Sequence, residues 1–155
     1  MKYKNLILLF TFFAVLTACQ SSEDNSYPVL EEEQPASLPY TSDEDMQAFY
    51  DRGATDEQVH VNGEVIKNLR DDLEGSRHQK FILELASGQT VLISHNIDLA
   101  SRIDLLEEGD EVDIYGVYEW NERGGVIHWT HHDPDGDHIG GWIMHENKKY
   151  EYLID

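Results

Sequence analysis

From residue 58 onward the chain is patterned in period two. In Val59-His60-Val61-Asn62-Gly63-Glu64-Val65-Ile66 apolar and polar residues alternate, and glycine falls in the middle of the run. Successive side chains of a strand point to opposite faces, so this pattern suits a half-buried strand and does not suit a helix. A glycine inside such a strand marks a bulge or a sharp bend. A polar loop through Asp71, Asp72 and Gly75-Ser76 follows. Gln79–Leu85 and Thr90–Ser94 then read as two strands of a hairpin turned at Ser87-Gly88-Gln89. Apolar residues at 97, 100, 103 and 106 fall at helical spacing, with Asn96 as the cap and Glu108-Gly109-Asp110 as the stop. Glu111–Trp120 is another strand. A turn at Asn121–Gly125 returns the chain as Val126–His132, a hairpin signalled by its paired glycines.

A bent strand, a hairpin, a helix and a final hairpin follow one another in the order of a five-stranded OB-type barrel, whose helix sits between strands three and four. The expected fold class is therefore mostly β with one or two short helices: a small OB-like β-barrel. Gly140–Met144 and Lys149–Leu153 add a C-terminal hairpin turned at Glu146-Asn147-Lys148. A different small barrel or a sandwich is the competing reading. Ahead of the barrel, Thr41 and Glu44 stand at capping-box spacing, and Met46, Phe49 and Tyr50 share one face before Gly53, which predicts a short helix packed on the domain.

The N-terminus reads as an export signal. Lys2 and Lys4 precede an apolar run from Leu6 to Val15, and Leu16-Thr17-Ala18-Cys19 follows at once. This resembles the lipobox of bacterial lipoproteins, in which the cysteine is acylated and becomes the first residue, so residues 1–18 are expected to be a signal peptide and Cys19 the lipidation site. By resemblance to the sorting rule of some bacteria, Gln20 and Ser21 carry no inner-membrane retention signal, which favours the outer membrane of a lipid-anchored cell-envelope protein. Residues 19–40 carry Glu31-Glu32-Glu33 and three prolines but few apolar groups, so an acidic disordered tether is expected, with a single domain over 41–155.

Charge narrows the partners. Loss of residues 1–18 removes Lys2 and Lys4 but no acidic residue, so the formal net charge of −20 becomes −22. Such a surface repels phosphate backbones and anionic headgroups, which disfavours nucleic acid and leaves membrane attachment to acylation. Cations and basic proteins are the favoured partners. A single cysteine excludes an internal disulfide and any zinc site built on two or more thiolates.

Gly75–Phe81, His95–Ala100 and the stretch from Tyr118 through His128-Trp129-Thr130-His131-His132-Asp133-Pro134 to Ile143 resemble the family called domain of unknown function 3465, over roughly residues 59–152. The resemblance implies a small secreted bacterial domain and brings no activity and no assigned site residues.

Chemistry concentrates between Gly124 and His138, where four histidines and three aspartates occupy fifteen residues. On a continuous strand, His128, Thr130 and His132 share one face, and Trp129, His131 and Asp133 share the other. His128 and His132 then stand about 13 Å apart at roughly 3.3 Å per residue, too far to grip one ion, whereas His131 and Asp133 are near enough. His78, His95 and His138 would complete a ligand set of His78, His95, His128, His131, Asp133 and His138, a mixture of imidazole and carboxylate suited to a divalent transition metal such as zinc. The alternative is that these histidines pack and hydrogen-bond with their aromatic neighbours. Asp133–Asp137 fails as an EF-hand, since His138 and Met144 stand where glycine and glutamate are required, and it reads as a turn.

Two function classes follow. The favoured one is a non-catalytic ligand- or partner-binding β domain, with Trp120, Trp129, Trp142, Tyr115 and Tyr118 able to line an aromatic face. The alternative is a metal-dependent hydrolase of phosphoesterase or nuclease type, with His95 or Glu119 as proton acceptor, and Arg77 and Asn96 as further polar candidates. No nucleophile elbow, His-Glu-x-x-His helix or phosphate loop is present in the sequence.

Overall fold

The computed structural model describes residues 38–153. The expected signal peptide, Cys19 and the tether as far as residue 37 lie outside the described residues. The fold is mostly β: a closed five-stranded barrel with one short helix and two extra strands.

Strand β1, Glu57–Asn68, is long enough to serve two partners. Its first half pairs antiparallel with β4, Glu111–Glu119, and its last residues pair with β2, His78–Glu84. The register shift that bends it lies between Val65 and Lys67. Gly63, two residues before the shift, has a different reason to be glycine. A Cβ there would run into the Glu84 carbonyl and the Leu83 side chain, where β2 crosses. β2 and β3, Thr90–Asn96, form the expected hairpin with His78 opposite Asn96 and Ile82 opposite Leu92. β5, Val126–His128, closes the barrel by pairing parallel with β3 and antiparallel with β4. The order β1-β2-β3-β5-β4-β1 is that of an OB-type barrel. Alternation fills its interior: Val59, Val61, Phe81, Leu83, Val91, Ile93, Ile114, Tyr118 and Ile127 are all buried.

β5 occupies only Val117–Glu119 of the β4 edge. The chain then makes an excursion and returns as β6, Trp142–His145, which pairs with Asp113–Tyr115 of the same edge. β7, Lys148–Tyr150, completes the C-terminal hairpin on a turn whose Glu146 and Asn147 both have positive φ, of 49° and 62°. The excursion is pinched where it returns. Gly141 donates its N–H to the His131 carbonyl, and a Cβ at this position would collide with the carbonyl oxygens of Trp129 and Tyr115.

Three local expectations are corrected. Helix α1, Asp43–Asp51, is capped by Ser42, which accepts from the Asp45 N–H, and not by Thr41. Thr41 Oγ1 instead accepts from His60 N–H, which lays the incoming chain along β1. Residues 97–106 form no helix, only short turns at 97–99 and 104–105. Of the four spaced residues Ala100, Ile103 and Leu106 are buried, and Ile97 is only partly so. The backbone is held from outside, however: the buried Gln79 amide donates to Ile103 O and accepts from Ile103 N–H, and Ser101 N–H donates to Tyr152 O. Backbone groups satisfied by neighbours do not need a helix. Finally, the strand expected over Val126–His132 stops at His128, because Trp129 takes a φ of 51°.

Candidate functional site

That stop decides the geometry of the histidines. Alternation holds as far as His128, which points outward, and cannot be carried on to His131 and Asp133 in the excursion. On the outer surface of the barrel, His78 and Lys80 of β2 stand beside Asn96 and Ser94 of β3. The parallel pairing of Ile93 with Ile127 brings His128 alongside Ser94. These elements enclose a depression of about 240 Å³ lined by His78, His128 and His131 together with Ser94, Asn96, Leu99 and Trp129. Three of the six expected ligands therefore come together.

Two of the three rings are fixed by the backbone. His78 Nδ1 lies 2.8 Å from Ser76 O, and His131 Nδ1 lies 2.8 Å from His132 O. A carbonyl can only accept, so Nδ1 carries the proton and Nε2 of each neutral ring is left with a free lone pair. His128 Nε2 is buried and has no hydrogen-bond partner among the described residues; Glu119 Oε1 is 4.0 Å away. Burial lowers the pKa of His128 and of His131, so both rings favour the uncharged form.

The other expected ligands are committed elsewhere. His95 is fully buried inside the barrel end, with Nε2 on Ser101 O at 3.3 Å and Nδ1 on Thr130 Oγ1 at 2.8 Å. Its pKa falls to about 4, chiefly through burial. Asp133 is buried within its own turn and accepts from the N–H groups of His138 and Asp135, which hold its carboxyl below the usual carboxylate range. His138 stacks on Trp129 with ring centroids 4.0 Å apart. Among the described residues no group of three His, Cys, Asp or Glu side chains is placed to hold a metal ion. Of the further polar candidates, Arg77 is paired with Asp98 at 2.6 Å, Asn96 Oδ1 accepts from Asp98 N–H, and Glu119 accepts from Asp56 N–H.

The aromatic residues do not form one face. Tyr118 is core and donates its hydroxyl to Gly124 O, Trp120 lies near Tyr50, and Tyr115 and Trp142 surround His60 with Tyr40. Of these aromatic residues, Trp129 alone lines the histidine depression. Ser94 and Leu99 line the depression and were missed as site residues. Ser94 could have been found as the outward neighbour of Asn96 two positions back along the same strand. Thr130 lies outside the depression, fully buried against His95, in a contact that depends on the break at Trp129.

The same outer surface carries a second depression of about 410 Å³, lined by Leu69, Ile82 and Leu92 and by Asn121–Arg123 of the β4–β5 loop. Leu92 and Ser94 are successive outward residues of β3, so the two depressions adjoin along one strip.

Fold and site together define a small OB-type barrel domain with a recessed strip across β2, β3 and β5. The chain matches, over residues 32–151, the family described as protein of unknown function (DUF3465), and it belongs to that family. No curated protein matches it.

Proposed function

We propose that this protein is a non-catalytic binding domain of the bacterial cell envelope, anchored to the outer membrane through acylated Cys19, with the β2–β3–β5 strip as its ligand face. The observation that carries the reading is the adjacency on one strip of an imidazole-lined depression and a second one with Leu69, Ile82 and Leu92 in its wall, the combination of apolar wall and few oriented polar groups that ligand sites use. A barrel of this type commonly binds on the face of its second and third strands. The acidic charge directs the face toward cations or basic partners. Among the described residues no helix is long and apolar enough to cross a membrane, so on this reading attachment depends on the lipid.

The metal-dependent hydrolase draws on the same depression, where Glu119 would serve as base and a divalent ion such as zinc would activate water. It is the weaker reading. Arg77 is committed to Asp98, both His95 nitrogens are bonded, and the imidazoles stand apart.

Two measurements test the proposal. Mass spectrometry of the native N-terminus is expected to find a diacyl or triacyl cysteine at residue 19, and an unmodified or uncleaved terminus would remove the anchor. Envelope extract passed over the immobilised protein is expected to leave a component on the wild type that Leu92→Glu does not retain, with melting of the variant confirming its fold. Equal retention by both would remove the face.

A further inference from the structure

The lone pairs in the histidine depression, and the ion pairs already made by Lys80 and Arg77 beside it, define what it can receive. We infer that the depression binds a cationic hydrogen-bond donor, a guanidinium or primary ammonium group carried on an aliphatic stem; this rests on the reading of the β2–β3–β5 strip as the ligand face.

Three observations converge. The first is acceptor polarity. His78 and His131 have their Nδ1–H groups tied to Ser76 O and His132 O, so the lone pair of each ring in its uncharged form lies on Nε2, and His128 Nε2 is a buried acceptor-capable atom with no hydrogen-bond partner among the described residues. A buried polar atom without a partner carries a desolvation cost that an incoming donor removes. The second is charge. The basic groups on and around the rim are already neutralised: Lys80 by Asp72, Arg77 by Asp98, and Arg102 by Asp71 and Asp104. They are therefore not free to hold an anion, while the Glu119 carboxylate stands 4.0 Å from His128 Nε2 and the whole chain attracts cations. The third is shape. The acceptors stand apart, as the ligands of one metal ion would not, but a planar guanidinium presents several N–H groups in a fixed fork and can reach separate acceptors at once. Ile82 and Leu92 continue the strip where an aliphatic stem would lie, and the Trp129 ring in the wall favours a cation over a neutral donor.

The test follows the histidine ring resonances by NMR in the intact lipid-free protein while three probes are titrated. These are butylguanidinium, butylammonium and tetramethylammonium, the last of which has the charge without N–H donors. Saturable shifts confined to His78, His128 and His131 are expected with the first two probes and not with the third, and His60 and His145 should stay still. His128→Leu should weaken butylguanidinium binding about tenfold, the loss of one charge-assisted hydrogen bond, and His128→Gln, which keeps an acceptor, should restore part of it. His128 is half-buried and outward, so both variants are expected to fold, and melting curves check this. Equal shifts with tetramethylammonium, or no shifts with either donor, would overturn the inference, as would stoichiometric zinc binding at these rings in protein that ignores butylguanidinium. A silent titration alongside loss of the envelope component in Leu92→Glu would overturn the ligand class and leave the face standing. Failure of both would remove both.

Discussion

His95 Nδ1 lies 2.8 Å from Thr130 Oγ1 inside the barrel end, and its Nε2 lies 3.3 Å from Ser101 O. One neutral imidazole thus joins β3 to the two irregular segments that close this end of the barrel. The Ser101 carbonyl requires the proton on Nε2, so Nδ1 accepts from the threonine hydroxyl. Protonation would place a second proton against that hydroxyl and a charge in a buried site.

The sign of the pH dependence follows. The folded pKa of His95 is about 4, below the ordinary 6.5 of the unfolded chain. Between those values the unfolded state binds the extra proton, so this contribution is complete above pH 6.5 and is lost as pH falls toward 4. At about 1.4 kcal/mol per unit, the loss is on the order of 3 kcal/mol. Urea midpoints at pH 7 and pH 4.5 should fall further in the wild type than in His95→Gln, which cannot titrate. Equal falls would show that His95 is not the responsible group.

Gln79 should behave as a structural clamp. Its amide satisfies both the N–H and the carbonyl of Ile103, and all these groups are buried. Gln79→Leu keeps an apolar volume but orphans two backbone groups, at about 1–3 kcal/mol each. The expected result is a lower melting temperature and faster amide exchange localised to residues 97–106. Uniform exchange across the barrel would mean that the segment is held by packing alone.

These two contacts also show what the sequence could and could not reveal. Strand alternation is written into residues 59–66 and 79–94 because one side of each strand must be buried, and the strand order then selects the barrel. The turn at Glu146–Asn147 was equally legible. The spacing of Ala100, Ile103 and Leu106 reported burial correctly but not conformation, because a segment lying on a barrel end can bury every third residue without a helix when Gln79 satisfies its backbone. The pairing of His131 with Asp133 assumed an unbroken strand, and Trp129 breaks it with a positive φ that its residue type does not announce. The meeting of His78, His128 and His131 depends on the parallel β3–β5 register, which no local pattern encodes.

Gly141 is expected to tolerate no side chain. A Cβ would enter the space of the Trp129 and Tyr115 carbonyl oxygens, both backbone atoms that cannot rotate away. Gly141→Ala should cost about 2 kcal/mol or more and should widen the pinch that holds the excursion against β4. Circular-dichroism melting measures the first effect, and changed His131 ring shifts report the second. By contrast Gly136, whose φ is 74° but whose Cβ position is open, should lose only the smaller cost of a left-handed residue.

Elemental analysis separates the two classes of function. With His95 and Asp133 bonded inside the fold and no three ligands together among the described residues, protein purified without chelator is expected to carry well under one equivalent of zinc, nickel, copper or manganese. The imidazoles would have to rotate to share an ion, and for His78 and His131 rotation gives up the Nδ1 bonds to Ser76 and His132. A full equivalent that disappears in His128→Leu would mean that the metal supplies enough free energy to reorganise the rings. Glu119 would then stand beside a metal-bound water, and phosphoester and ester substrates become the assays to run. A metal-poor protein whose His128→Leu variant melts like the wild type leaves the depression as a recognition surface, with its acceptor nitrogens free for an organic donor.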